Sequence, residues 1–257
     1  MALKFSTAGR NFMAAIGSYK DAFQNGRIEL YSGAQPATAD AAVTGTLLCT
    51  ITSSSGALTN EVLSVGTVTL TGGASGSVNT LTVNSVEVMG VAVNFNTSLT
   101  QTAADIAAQI NRYHSYNEYI ATSAGAVVSI TALPGTGTTP NGFVVASTVT
   151  TITKTDANLA GGIAGVNGLR FDAPSGGAIA KLSTQTWSGV NGATGTAGWY
   201  RRYGSVADAG AVDTNLVFYR EDGAISTAGA ELNMSSTALV ATATTTIGGS
   251  TLTIPTL

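Results

Sequence analysis

The sequence predicts a mainly β protein: a discontinuous β-sandwich or jelly-roll-like domain that carries an inserted small α+β domain. Three observations point there. Short apolar/polar alternations recur at close spacing with glycine-rich turns between them. Glycine is abundant, at 31 residues, without a Gly-X-Y period, while proline is limited to five and the hydrophobic fraction is 44%. The texture of residues 1–64 resumes after residue 165, and neither flank holds enough apolar strand to close a sheet alone. A length of 257 residues allows two domains of about 100 residues or more.

Along the chain, Phe12, Ala15, Ile16 and Tyr19 fall at helical spacing and are punctuated by Gly17 and Gly26, which predicts a short helix. Arg27 to Tyr31 alternates as a strand with Ile28 and Leu30 on one face, and Thr46 to Thr52 reads as a second. In the middle unit, residues 65–165, strands are expected at Gly66 to Thr71 and Leu81 to Val88. Thr102 with Asp105 three positions later supplies a helix start, and Ala103, Ile106, Ala107 and Ile110 form its apolar stripe, ending near Arg112. Strands at Tyr119 to Thr122, Ala126 to Thr131 and Phe143 to Val149 complete a β-β-α-β-β-β unit. In residues 166–257, strands are expected at Lys181 to Ser183, Ala197 to Tyr203 and Leu216 to Tyr219. Asp222-Gly223 is expected to turn a hairpin, and Gly248-Gly249 to join Thr244–Ile247 to Ser250–Ile254 in another. The middle unit is therefore read as an insertion in a surface loop of one domain formed by 1–64 and 166–257.

Charge narrows the function. Only 10% of the residues are Asp, Glu, Lys or Arg, against roughly 25% in an ordinary soluble domain. The net charge is -3, with one His and one Cys. A nucleic-acid binder needs surplus Lys and Arg, and an enzyme gathers ionisable groups in a cleft. Neither a secretory signal pattern nor an apolar run of about 18 residues is present, so no membrane partner is expected. Cys49 lies in the alternating run Thr46 to Ile51 and reads as a buried strand residue.

Gly26 to Pro36, Thr44 to Leu48, Gly195 to Arg201, Gly229 to Thr237 and Leu252 to Pro255 together resemble a family of virion structural proteins of tailed bacteriophages. The resemblance implies particle assembly without catalysis. Within the insert, Leu81 to Val86, Ala103 to Asn111, a Tyr-Ile-Ala-Thr strand and Val128 to Ala132 are similar to modules of flagellar hook-associated proteins and phage tail proteins. In those settings the module projects from a filament or particle surface.

Catalytic and metal candidates reduce to simpler roles. His114 sits in a polar, tyrosine-bearing stretch after the helix, and one His with one Cys leaves only carboxylates as metal ligands. Asp208, Asp213 and Asp222 match no calcium-loop spacing, since turn chemistry accounts for Asp-Gly. Gly72 to Gly76 and Gly135 to Gly142 lack the Lys-Ser/Thr ending of a phosphate loop. No catalytic residue, metal site or cofactor is expected. The interface candidates are Trp199, Tyr200, Arg201, Arg202 and Tyr203, because aromatic residues and Arg concentrate at interface centres. Alternation puts Trp199, Arg201 and Tyr203 on one strand face, where Arg201 needs either a carboxylate or a neighbouring subunit; the neighbour is favoured. The expectation is a virion protein made in the host cytoplasm. It would form a homo-oligomer and join other virion proteins on the neck, tail or capsid exterior. The alternative is a glycan-binding or adhesin-type module whose exposed Tyr and Trp stack on a host-surface glycan. A depolymerase would need paired carboxylates that the sequence does not display.

Overall fold

The computed structural model describes residues 3–113, 119–213 and 216–253. The chain is mainly β, built almost wholly from antiparallel sheets in a β-sandwich-like fold. It divides into two compact units, residues 1–61 with 165–257 and residues 62–164. The first unit opens with β1 (Lys4–Phe5), α1 (Thr7–Ala15), α2 (Tyr19–Phe23), β2 (Arg27–Ser32) and β3 (Leu47–Ser53). The second holds β4 (Val65–Gly72), β5 (Ser77–Val83), β6 (Val86–Glu87), β7 (Val93–Asn94), α3 (Leu99–Arg112), β8 (Tyr119–Ala124), β9 (Val127–Ala132), β10 (Val145–Thr150) and β11 (Thr153–Ala160). The first then resumes with β12 (Ala178–Ala180), β13 (Trp187–Val190), β14 (Gly195–Tyr203), β15 (Arg220–Ser226), β16 (Leu232–Asn233), β17 (Ala238–Leu239), β18 (Thr244–Ile247) and β19 (Thr251–Thr253).

The large sheet of the first unit runs β1-β15-β14-β2-β3-β13-β18, with β16 on β15 and β17 on β14. Strands from the two flanks interleave in it, β15-β14 and β13-β18 from the second lying on either side of β2-β3 from the first, which is why neither flank closes the sheet by itself. Its central strands β2, β14 and β15 are buried on both faces. The helices come from local signals: Ser6 caps α1 by accepting from Gly9 N at 3.1 Å, and Ser18 with Asp21 forms a capping box on α2. The single helix expected through Phe12, Ala15, Ile16 and Tyr19 is two. Helix α1 ends at Ala15 and Ser18 starts α2 with its own cap; Gly17 between them lies so close to the Phe12 ring, itself stacked on Tyr219 at 4.7 Å, that a Cβ there would stand 2.4 Å from it.

The second unit packs two four-stranded sheets and one helix around a single core. One sheet runs β10-β5-β6 with β7 also on β5, and the other runs β11-β4-β9-β8. Val68, Leu70, Val78, Leu81, Val128 and Ile130 meet Ile106 and Ile110 of α3 in that core. Side chains satisfy strand edges that would otherwise recruit another strand. Asp156 accepts from Ser147 N at 2.8 Å, and the Asn111 carboxamide both donates to Ala121 O at 2.7 Å and accepts from Ala121 N at 2.8 Å.

Several expected elements differ, each for a local reason. The run Leu81 to Val88 is split into β5 and β6 by Asn84 and Ser85, both at positive φ. A bulge opposite Thr148/Val149 moves the buried set from Val78 to Leu81 and Val83, breaking strict alternation. Helix α3 begins three residues before Thr102, capped by Ser98, while the Thr102 hydroxyl is buried and donates to Ser98 O at 2.8 Å. Strand β11 has no counterpart among the expected elements. Residues 216–219 precede the strand that starts at Arg220, and the strand expected at Lys181 is β12, ending at Ala180. Asp222-Gly223 is no turn: both lie within β15, where a Cβ on Gly223 would come within 2.6 Å of the Tyr200 ring. Gly248-Gly249 joins strands of different sheets, since β18 pairs with β13 and β19 with β12.

Cys49 lies in β3, 1% exposed, and burial pushes its thiol up to about 11, against a smaller opposing hydrogen bond with Thr245. The native chain is therefore expected to leave a disulfide reagent unreacted at neutral pH and to release one thiol equivalent on denaturation. Rapid reaction of the folded chain would contradict this burial.

Candidate functional site: an ion-pair lattice on the large sheet

Strand β14 lies between β2 and β15, and register alone assembles the site. Arg201 stands opposite Glu29 and Asp222, Tyr203 opposite Arg27 and Arg220, and Trp199 opposite Tyr31 and Ala224. Because side chains alternate, Arg27, Glu29, Tyr31, Trp199, Arg201, Tyr203, Arg220 and Asp222 share one face. Asp208 joins them from the loop after β14.

The pairs are short, and two of them are bidentate. Arg201 Nε and Nη2 donate to Asp222 Oδ1 and Oδ2 at 2.6 and 2.7 Å, and Nη1 donates to Ala41 O at 3.0 Å. Arg220 Nε and Nη2 donate to Asp208 Oδ2 and Oδ1 at 2.6 and 2.7 Å, and Nη1 donates to Ala211 O at 2.8 Å. Arg27 Nε donates to Glu29 Oε1 at 2.6 Å, and its guanidinium lies 3.9 Å above the Tyr203 ring. Tyr31 donates to the other Glu29 oxygen and stacks on Trp199 at 4.6 Å. Burial opposes the charge on Arg201, and the hydrogen bonds and attraction of Asp222, with smaller contributions from Tyr203 and Asp208, together outweigh it, so the guanidinium stays protonated.

A second network occupies the opposite face. Tyr19 and Tyr200 donate to the two oxygens of Glu221, and Arg202 Nε lies 3.5 Å from Glu221 Oε1. The Arg202 guanidinium is surrounded by Tyr19, Phe171 and Trp187 at 5.8, 5.3 and 5.5 Å. Among the described residues its one hydrogen bond runs from Nη2 to Ser250 Oγ, at 2.9 Å; Nε and Nη1 have none.

The structure thus corrects the interface assignment. Trp199, Tyr200, Arg201, Arg202 and Tyr203 are each less than 5% exposed and are covered by the chain itself, not by a neighbour. Arg201 has its carboxylate, Asp222. One strand's alternation could show that Arg201 shares a face with Trp199, but not which acidic residue lies across the ladder. Among the described residues no group of three or more His, Cys, Asp or Glu could hold a metal ion. Asp208 and Asp222 each hold an arginine, and His114 lies outside the described residues. With each of these carboxylates held by a guanidinium, a tyrosine or both, the lattice acts chemically as a clamp that fixes strand register. Compared with protein-family models, curated proteins and solved structures, the chain finds no match.

Proposed function

We propose that this chain is a structural subunit of a tailed-bacteriophage particle, assembling with copies of itself and other virion proteins at the neck, tail or capsid exterior. Support comes first from where its charge sits. Of 11 basic and 14 acidic residues, four arginines and five acids are buried among the described residues: Arg27, Arg201, Arg202, Arg220, Glu29, Glu61, Asp208, Glu221 and Asp222. A composition already poor in charge thereby leaves a surface poorer still, suited to burial against neighbours.

The observation that carries the reading is the outer face of the β11-β4-β9-β8 sheet. Registers align Thr155 with Thr69 and Val127, and Ala157 with Thr67, Ser129 and Thr122. With Val65, Thr71, Thr131, Ile120, Ala124 and Thr153, this four-strand face carries no charged side chain among the described residues, where a solvated antiparallel face ordinarily interleaves charges. It is at least half-exposed and rich in β-branched residues, which fits packing against protein. The glycan reading gains less, because Trp187 and Trp199, the natural sugar platforms, are fully buried.

The purified chain is expected to sediment as a multimer. Thr67→Lys should shift it toward monomer while its melting transition stays within about 0.5 kcal/mol of wild type, as for surface substitutions. A wild type that stays monomeric at every concentration, or a Thr67→Lys multimer as stable as wild type, would count against the proposal.

A further inference from the structure

The geometry points to strand β19 as an exchangeable element: in the assembled state it docks on β12 of a second copy of this chain. The inference rests on the assembly reading above but names a different contact. Among the described residues strand β19 pairs with β12 alone, through Ala178↔Thr253, Ile179↔Leu252 and Ala180↔Thr251, in a two-stranded sheet separate from the large one. Two strands alone are marginally stable. Thr251 and Thr253 are exposed and Leu252 is half-buried, so little apolar area holds the strand in place.

Two further observations fit exchange better than a permanent in-chain strand. The segment leaves the large sheet after Ile247, which is buried, through Gly248-Gly249; both glycines are exposed, and among the described residues no atom lies within 4 Å of where a Cβ on either would stand. That pair is an uncrowded hinge, the condition under which a strand can leave its own chain and enter a neighbour's at little cost. Meanwhile Ser250 supplies the hydrogen bond that the buried Arg202 guanidinium makes, and Ser250 O accepts from Lys181 N at 2.8 Å. The receiving site therefore needs this segment, and its own chain brings the segment there only through the open Gly248-Gly249 hinge. A neighbour's Ser250 to Thr253 would make the same bonds, so exchange conserves contacts while linking subunits.

The test uses the full chain with Ala180→Cys and Thr251→Cys. The bond between Lys181 and Ser250 puts Ala180 and Thr251 in a non-hydrogen-bonded pair, whose Cα separation of about 4.5 Å suits a disulfide. Both positions are at least partly exposed, and Cys49 is too buried to compete. After mild oxidation, exchange predicts covalent dimers and larger multimers on a non-reducing denaturing gel, and each single-cysteine variant should lose the larger species. Chains assembled from a mixture of unlabelled and isotopically heavy protein should yield cross-linked peptides of mixed mass. Disulfides confined within single chains of a multimer would overturn the exchange and leave the assembly reading standing. Intrachain disulfides in a protein that is monomeric throughout would overturn both.

Discussion

Arg201→Ala is expected to destabilise the first unit by about 3–5 kcal/mol, the loss typical when one partner of a buried ion pair is removed. Both Arg201 and Asp222 are fully buried, so truncating the arginine leaves a carboxylate without solvent and without the guanidinium that hydrogen-bonds both its oxygens. Asp222→Ala should cost about as much for the mirrored reason. The paired replacement Arg201→Met with Asp222→Leu removes both charges while keeping volume, and should recover most of the loss. Urea unfolding followed by tryptophan fluorescence reads this unit directly, because both tryptophans, Trp187 and Trp199, lie in it. A change below about 1 kcal/mol for Arg201→Ala would place that side chain on the surface instead.

The lattice also explains a sheet made of distant segments. Strands rich in Thr, Ser, Ala and Gly specify register weakly, because a one-residue slip exchanges similar side chains. Across β2, β14 and β15 a slip would instead place Arg201 beside Leu30 or Ile28 and strand several charges among apolar groups. The chain concentrates its scarce charge where the alignment of strands from its two ends must be unique.

Much of this is legible in the sequence, and what is not has a common cause. Strand β2, the body of α3, the two strands β8 and β9 and the burial of Cys49 follow from local periodicity, and the structure has them. So does the shared face of Trp199, Arg201 and Tyr203. The partners of that face are hidden because Glu29, Asp208 and Asp222 come from other segments, and ladder register is not written in any one of them. Asp222-Gly223 misleads for the same reason: Asp222 is chosen for Arg201 and Gly223 for the Tyr200 ring, both on β14. Buried on both faces, Arg27 to Tyr31 shows polar alternation in sequence but not in exposure. There the pattern reflects two buried environments, one ionic and one apolar, and not water against core.

The first unit is expected to unfold cooperatively in alkali, starting above about pH 10. Tyr19, Tyr31, Tyr200, Tyr203 and Tyr219, the five tyrosines of the first unit, are buried, and burial raises the pKa of each hydroxyl. Neighbouring carboxylates add to the rise, Glu221 at Tyr19 and Tyr200 and Glu29 at Tyr31 and Tyr203. A folded-state pKa above the unfolded value of about 10 favours folding while the phenol stays protonated, so this contribution is intact below pH 10 and is lost as pH rises past it. Each such hydroxyl weakens the fold by about 1.4 kcal/mol per pH unit beyond that point, so five together act steeply against a typical stability of about 5–15 kcal/mol. Tyrosinate absorbance and tryptophan fluorescence should therefore change together in one sharp step, with the buried tyrosines ionising only as the unit opens. A smooth titration of all eight tyrosines centred near pH 10, with the tryptophan signal unmoved, would mean that water already reaches these hydroxyls in the folded chain.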